Sequence, residues 1–297
     1  LLHAHEVQLV DPAPPPDELR PHWWQGRISD FFSYHNVPAA RQAWDGIFHL
    51  AALLGYRRVL ATPVQVFDAV HETSVLLAQT TAPLLFTSSS CVYGQSSRSD
   101  EAAPLALGNS WVAGWSYAYA KACEEAICAA HAHGGARPIV VARLFNTVGP
   151  RQSAEAGFVL PRFVRAALRG EPLEVYAPGT QRRTFAWVSD VVHVLAELLA
   201  SARPGCEVIN VGGSATLSML ELASAVVHQI GQGIPQVVPC PYGPRYEEIL
   251  DRVPMLGKLR ACLGWVPQTP LATMIRAVAD YERERLEWPK ASLTTGT

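Results

Sequence analysis

PLLFTSSSCVYG, residues 83–94, is an apolar run that ends in three consecutive serines. The run is typical of a buried β-strand, and the serines place hydroxyl groups where the strand ends. Comparable apolar runs lie at 6–11, 46–52 and 137–150, and helical stretches such as 64–80 separate them. Strands that are apolar almost throughout and alternate with helices predict a parallel sheet covered on both faces. The predicted fold class is therefore α/β, with a doubly wound parallel sheet.

The pattern changes after residue 150, where shorter strands, further helices and a proline-rich tail follow. We therefore predict a nucleotide-binding domain over residues 1–150. Residues 151–297 are predicted to form mainly a smaller lobe, partly interleaved with the first, that closes over it. The sequence contains no internal repeat and no low-complexity segment.

The composition limits the class of function. The chain has 297 residues, a formal net charge of −2, 49% hydrophobic residues and 17% charged residues. Such a chain can bury a sizeable core, and its near-neutral charge gives no reason to expect nucleic acid as a partner. The longest apolar stretches fall well short of the roughly 20 residues that a membrane span needs. Six cysteines without a C-x-x-C pair predict free thiols in a cytoplasmic protein, and no His, Cys and Asp spacing suggests a metal.

A tyrosine and a lysine stand one helical turn apart in WSYAYAK, residues 115–121. Tyr117 and Lys121 project from one helix face, which by itself fits two unrelated neighbours on a solvated helix. The serine-rich end of the 83–94 strand lies where parallel sheets bind ligands. Together, a serine, a tyrosine and a lysine can move a proton on or off a sugar hydroxyl during hydride transfer. The lysine ammonium, with a nicotinamide ring, is expected to lower the tyrosine pKa from its ordinary value near 10.

Nearly the whole chain resembles the extended short-chain dehydrogenases/reductases, in the NAD-dependent nucleotide-sugar epimerase/dehydratase family. The similar segments follow the family's order along the chain: FHLAA (48–52), SSSCVYG (88–94), WSYAYAK (115–121), RLFNTVGPRQ (143–152), GTQRRTFAWVSDVV (179–192) and LGW (263–265). The resemblance implies a Rossmann-like fold, NAD as cofactor and a nucleotide sugar as substrate. It also implies a homodimer, which relatives form through the helix that carries the tyrosine and lysine.

The resemblance assigns site residues position by position. The catalytic set is Ser89, which fixes the substrate oxygen, Tyr117, which is the acid or base, and Lys121. The residues implied to bind the cofactor are Asp11, at the adenosine ribose, then Leu50, Ala51 and Ala52, and again Tyr117 and Lys121. The residues implied to bind the substrate are Ser89, Asn146, Arg183 at the diphosphate, and Arg245 as a second phosphate arginine or a plain surface charge. His49 is expected to be a satisfied core histidine.

The family's first strand and its Gly-x-x-Gly-x-x-Gly turn have no counterpart before Asp11. That turn lets bare backbone approach the cofactor pyrophosphate at a helix N-terminus. Two explanations are open: the sequence lacks roughly 20–25 N-terminal residues, or the protein has lost its cofactor loop. The second explanation would make the chain a non-catalytic binding or scaffold relative.

The residues after Ser89 discriminate among reactions. Related dehydratases have an Asp-Glu pair there and related uronate decarboxylases keep a Glu, whereas this chain has Ser90 and Cys91. Because neither side chain can act as a carboxylate base, dehydration is disfavoured. The leading expectation is an NAD-dependent UDP- or dTDP-hexose 4-epimerase that acts through a 4-keto intermediate. A decarboxylase, a dehydratase or a 4-ketoreductase of the same family remains an alternative.

Overall fold

Strands and helices alternate in the computed structural model, which describes residues 5–35, 44–96, 99–133, 135 and 137–291, with side chains to residue 285. The strands are Leu9–Asp11 (β1), Trp23–Gln25 (β2), Ile47–His49 (β3), Leu84–Ser89 (β4), Pro138–Leu144 (β5), Asn146–Val148 (β6), Pro172–Tyr176 (β7), Arg182–Trp187 (β8), Gly205–Val211 (β9), Thr216–Ser218 (β10), Ile234–Val238 (β11) and Asp251–Arg252 (β12). The α-helices are Ile28–His35 (α1), Tyr56–Ala61 (α2), Asp68–Gln79 (α3), Ser116–Ala132 (α4), Val159–Leu168 (α5), Val188–Ala200 (α6), Met219–Ile230 (α7), Gly257–Leu263 (α8) and Leu271–Ala291 (α9).

The central sheet has four parallel strands in the order β3-β4-β5-β9. Ser89 pairs with Leu144, and Leu144 pairs with Val211, so three strands end at the same edge. This alignment brings the hydroxyl-rich end of β4 to the carboxyl edge of the sheet, as the sequence predicts. The α/β fold class is confirmed.

Both faces of the central sheet are covered. One face of β4 and β5 packs with α1, α3 and α4, through side chains that include Phe86, Leu76 and Cys128. The opposite face packs with α6 and α8 through side chains that include Leu85 and Leu259. Because side chains alternate along a strand, Leu84 and Leu85 serve opposite faces, and both are fully buried. A strand buried on both faces has no polar alternation, which explains the continuous apolar runs in the sequence.

The second lobe has its own core, formed by α5, α7 and α9 around β7 and β8. Its strands form one sheet in the order β10-β8-β12, with β6 on β8, and a separate β11-β7 pair. Helix α7 begins with a capping box in which Ser218 and Glu221 satisfy each other's backbone N–H groups. It ends at Gly231, whose φ of 85° suits glycine.

Two features differ from the expected elements. The single strand predicted over 137–150 is wrong: β5 stays in the central sheet, while β6 crosses to pair with β8 in the second lobe. The break falls at Phe145, whose N–H still donates to Val211 in the central sheet. Strand β9, from the later half of the chain, pairs with β5 in the central sheet. The chain therefore crosses between the two lobes more than once, and the lobes are interleaved. The boundary at residue 150 stays a prediction.

The amino-terminal strands stand apart from the central sheet. In the described residues β1 pairs only with β2, in parallel, although Val10 and Trp24 pack on the same apolar cluster as α1 and β4. The first glycine in the sequence is Gly26, which follows both strands. Across the described ranges we found no helix with the length and apolar character needed to span a membrane.

Candidate active site

Ser89 is the last residue of β4 and is 7% exposed. Its backbone is extended, and its Oγ accepts a hydrogen bond of 3.2 Å from the Cys91 N–H, which caps a short 3-10 turn over Ser90–Tyr93. The hydroxyl also lies close enough to the Tyr117 side chain to lower the Tyr117 pKa. The strand end therefore fixes Ser89 Oγ by its own backbone while it remains in contact with the predicted acid or base.

Tyr117 and Lys121 both lie on α4 and face the sheet, as their spacing predicts. The Tyr117 residue is half-buried, but its phenol is enclosed, and burial raises its pKa above the ordinary value. The Cys91 side chain also acts to raise this pKa, whereas the Ser89 hydrogen bond and the Arg252 charge act to lower it. Burial therefore raises the Tyr117 pKa in this arrangement, and the lowering expected from Lys121 together with a nicotinamide ring stays a prediction.

The contacts of Lys121, which is 2% exposed, explain why it does not lower the Tyr117 pKa in this arrangement. Its Nζ lies 3.2 Å from Glu124 Oε2 and 4.4 Å from the centre of the Phe86 ring. Neither Nζ nor Glu124 Oε2 has a partner at hydrogen-bond geometry in the described residues, so the contact is an ion pair. Burial lowers the pKa of the Lys121 ammonium, and Glu124 acts against that change. The ammonium is directed at its own counter-ion rather than at the phenol.

A buried polar chain continues behind Glu124. Thr73 Oγ1 donates to Glu124 Oε1 at 2.7 Å, and His49 Nε2 lies 2.8 Å from the Thr73 hydroxyl. Burial, helped by the Lys121 charge, lowers the pKa of His49 to about 3, so the imidazole is neutral. His49 is therefore a buried, hydrogen-bonded residue of the core, in agreement with the sequence interpretation.

Arg252 is a residue of the site that the sequence interpretation missed. It lies on β12, and its Nη2 donates to Ser90 Oγ at 2.7 Å. Its Nε is buried and has no hydrogen-bond partner within the described residues. Arg252 is also close enough to lower the pKa of Tyr117. Arg252 and Ser90 are 162 positions apart, so no local sequence pattern relates them. The sequence shows only an arginine that precedes Val253 and Pro254.

The arginine assigned to the diphosphate, Arg183, lies on β8 and is 8% exposed. Its guanidinium pairs with the Glu248 carboxylate and also donates to Leu250 O at 3.2 Å. Burial lowers the Arg183 pKa, and Arg252 adds to that effect. The neighbouring Arg182 is exposed, at 3.9 Å from the Asp251 carboxylate. Arg183 therefore already has an anionic partner within the chain.

The other predicted substrate residues occupy different positions. Asn146 lies on β6, and its Nδ2 donates to Thr184 O at 2.9 Å, so its amide supports the β6–β8 contact. Arg245 ends a 3-10 turn over Gly243–Arg245 and is exposed. Their roles with substrate remain predictions.

The predicted cofactor residues lie at strand ends. Leu50 and Ala51 directly follow β3 and are exposed, and Ala52 is half-buried. Asp11 ends β1, and its Oδ1 accepts a hydrogen bond of 2.8 Å from the Ala13 N–H. In the described ranges, no group of three or more His, Cys, Asp or Glu side chains is placed to hold a metal ion.

A buried polar network connects the end of β4 to α4 and β5. Ser88 Oγ donates to Glu125 Oε1 at 2.5 Å, and Arg143 donates to both oxygens of the same carboxylate. The Arg143 guanidinium also lies 4.8 Å from the centre of the Tyr93 ring. This buried network ties α4 to β4 and β5, and so fixes Tyr117 relative to Ser89.

Comparison with known proteins places the chain in a family. The model of the NAD dependent epimerase/dehydratase family matches residues 3–212. UDP-N-acetyl-alpha-D-glucosaminuronate decarboxylase from Bacillus cytotoxicus is 31% identical over 250 residues, which are 81% of this chain and 77% of that protein. UDP-glucuronic acid decarboxylase 6 from Arabidopsis thaliana is 38% identical over 154 residues, which are 51% of this chain and 43% of that protein.

Solved structures agree with the fold. MoeE5, in complex with UDP-glucuronic acid and NAD, is 26% identical, with a TM-score of 0.77 over 93% of this chain and 90% of that chain. UDP-glucose 4-epimerase from Thermotoga maritima is 21% identical, with a TM-score of 0.80 over 96% of this chain and 93% of that chain, and shows the fold alone. The resemblance inferred from the sequence is confirmed, and the chain belongs to the NAD dependent epimerase/dehydratase family, whose cofactor is NAD.

Proposed function

We propose that this protein is an NAD-dependent decarboxylase of a nucleoside diphosphate uronic acid, acting through a 4-keto sugar. The observation that carries the proposal is the Arg252 guanidinium, which donates to Ser90, the residue after Ser89, and whose charge acts on Tyr117. A fixed cation next to the acid or base suits a substrate with a carboxylate near the reacting hydroxyl. The names of the relatives support this alternative over the 4-epimerase that the sequence favoured.

The residues present fit the nicotinamide half of NAD. Lys121 Nζ is ion-paired with Glu124 but has no hydrogen-bond acceptor at bonding geometry among the described residues, so its N–H groups would be available to a ribose hydroxyl. Tyr117 lies one turn earlier, and the exposed Leu50 and Ala51 at the end of β3 offer the surface of a cleft. When bound there, NAD would accept a hydride from C4 of the sugar and later return it.

The chain's own groups would handle the protons. Ser89 Oγ would hold the C4 oxygen, and Tyr117 Oη would take its proton. The resulting 4-keto uronate is a β-keto acid, because its carboxyl carbon is attached to C5, next to the ketone. Loss of CO₂ leaves the bonding electrons on the C4 oxygen, where Ser89 and Tyr117 can stabilise the charge. Protonation at C5 and reduction at C4 then give the pentose.

Ser90 and Cys91 disfavour dehydration but are compatible with decarboxylation, although related uronate decarboxylases keep a Glu there. Loss of CO₂ from a β-keto acid needs no base at C5, whereas dehydration does. A side chain without a carboxylate at position 91 is therefore compatible with decarboxylation. Arg252 would hold the carboxylate until the ketone forms, and the neutral CO₂ would then leave.

A second candidate is 4-epimerisation of the same uronate, which the Ser-Tyr-Lys set without a neighbouring carboxylate would also allow. The two reactions differ in proton balance. Decarboxylation of a carboxylate consumes one proton from solvent per turnover, whereas epimerisation consumes none. A cytoplasmic location and a homodimer paired through α4 are further parts of the proposal.

The test is to incubate the protein with NAD and UDP-glucuronate and to follow products by NMR and proton uptake with a pH indicator. The proposal predicts a UDP-pentose, CO₂ and one proton taken up per product, provided that a nitrogen stream removes the CO₂ before it hydrates to bicarbonate and returns the proton. UDP-galacturonate without proton uptake would show the epimerase instead, and no product from any UDP-sugar would favour the non-catalytic alternative. Arg252→Gln should lose turnover of the uronate, and Arg182→Gln is the matched exposed control.

A further inference from the structure

We infer that Arg57, with Arg245, binds the diphosphate of the substrate at a cavity formed between the two lobes. The inference rests on the proposed function only in taking the substrate to be a nucleoside diphosphate. The resemblance seen in the sequence implies Arg183 at the diphosphate and Arg245 as a second phosphate arginine or a plain surface charge, and it gives Arg57 no role. In the described residues Arg183 is paired with a carboxylate, whereas Arg57 and Arg245 are not.

The cavity has a volume of about 420 Å³. Its lining consists of two cations and a small apolar and aromatic wall: Arg57, Leu60, Ala61, Pro241, Tyr242 and Arg245. No acidic side chain is among these lining residues. A ligand that suits such a lining carries negative charge next to an aromatic or apolar part, as a nucleoside diphosphate does.

Arg57 is held in place by tyrosines from the second lobe. It lies on α2, and the Tyr242 and Tyr176 hydroxyls lie close enough to its guanidinium to raise the Arg57 pKa. Tyr176 ends β7, and its ring centre lies 5.8 Å from that of Tyr242. A guanidinium has five N–H donors, so two acceptors leave donors free for a ligand. The cation is therefore oriented but not neutralised.

Arg183 differs in this respect. Its guanidinium is buried and paired with the Glu248 carboxylate, so an anion that bound there would have to displace Glu248. Within the described residues, neither Arg57 nor Arg245 lies within 4.0 Å of a carboxylate oxygen. Two cations without counter-ions favour an anion more than one that is already neutralised.

The cavity also adjoins the reacting groups. Tyr56, the neighbour of Arg57, has its ring centre 4.6 Å from that of Tyr246 and 5.1 Å from that of Tyr242. A Cβ added at Gly114 would lie 2.1 Å from Tyr56 Oη and 2.9 Å from Arg245 O. Because Gly114 lies three residues before Tyr117, a diphosphate at Arg57 and Arg245 would keep its sugar within reach of α4.

The test measures the affinity of the whole protein for UDP, UMP and uridine by calorimetry in Arg57→Ala and Arg58→Ala. Arg58 is an exposed neighbour on the same helix and supplies the same charge. We expect Arg57→Ala to weaken UDP binding about 10- to 100-fold and to leave uridine unchanged. Arg58→Ala should change either affinity less than about twofold. Arg57→Lys should recover part of the loss, and thermal melting should show that each variant is folded.

Three results would overturn the inference: no change in Arg57→Ala, equal losses in both variants, or no UDP binding by the parent protein. An equal loss would mean that only the general positive field matters. Failure of the proposed function is distinguishable, because it would appear as absent turnover of UDP-glucuronate while UDP binding still depended on Arg57.

Discussion

The ion pair between Lys121 and Glu124 gives a sharp prediction about stability. Both side chains are almost completely buried, at 2% and 0% exposure, and the charged atoms lie 3.2 Å apart. Glu124→Gln keeps the shape and the hydrogen bond from Thr73 but removes the charge. The Lys121 ammonium then lies in the core without a counter-ion. We expect a loss of about 3–4.5 kcal/mol in the free energy of unfolding at pH 7.

The loss of stability has an upper limit, because Lys121 can lose its proton and so avoid being buried as an unpaired charge. Deprotonating a lysine of ordinary pKa about 10.4 at pH 7 costs about 4.6 kcal/mol, at 1.36 kcal/mol for each pH unit. In the variant the folded pKa of Lys121 falls further below its unfolded value. The penalty is therefore fully present at low pH, decreases as the pH rises, and vanishes near pH 10.

The assay is urea unfolding followed by circular dichroism at pH 6 to 10. The chain supplies a matched control in Asp280 and Arg283, an i,i+3 pair with side chains 66% and 50% exposed. Asp280→Asn should cost less than about 1 kcal/mol at every pH. A Glu124→Gln loss that equalled the control, or that did not shrink with rising pH, would refute the argument from burial.

Three further predictions follow from the site and its surroundings. Tyr117→Phe should lower turnover about 10²- to 10⁴-fold with little effect on UDP affinity, as measured by single-turnover kinetics and calorimetry. Gly114→Ala should cost about 1–3 kcal/mol of stability, because its Cβ would contact Tyr56 Oη at 2.1 Å, whereas Gly257→Ala, where nothing lies within 4 Å, should cost nothing in the same unfolding assay. The Arg165 guanidinium lowers the pKa of Glu155 to about 2, so Arg165→Met should raise that pKa toward its ordinary value in a carbon-13 NMR titration, and an unchanged pKa would contradict the assignment.

Local pattern was enough to predict part of the site. The apolar run and three serines predict a buried strand with hydroxyls at its end, since a strand buried on both faces requires apolar residues throughout. The four-residue spacing places Tyr117 and Lys121 on one helix face, since a helical turn takes 3.6 residues. These are properties of neighbouring residues, and the proximity of Ser89 to Tyr117 agrees with them.

Contacts between distant segments were decided only by the tertiary structure. Arg252 and Ser90 are 162 positions apart, and Arg183 and Glu248 are 65 apart, so no periodicity relates them. The break at Phe145 likewise depends on which sheet each half of the 137–150 run joins. The partner of Lys121 is only three residues away, yet the spacing fits an exposed pair equally well. Burial decides the matter, because a charge enclosed by protein must be neutralised by whatever counter-ion the fold brings within reach.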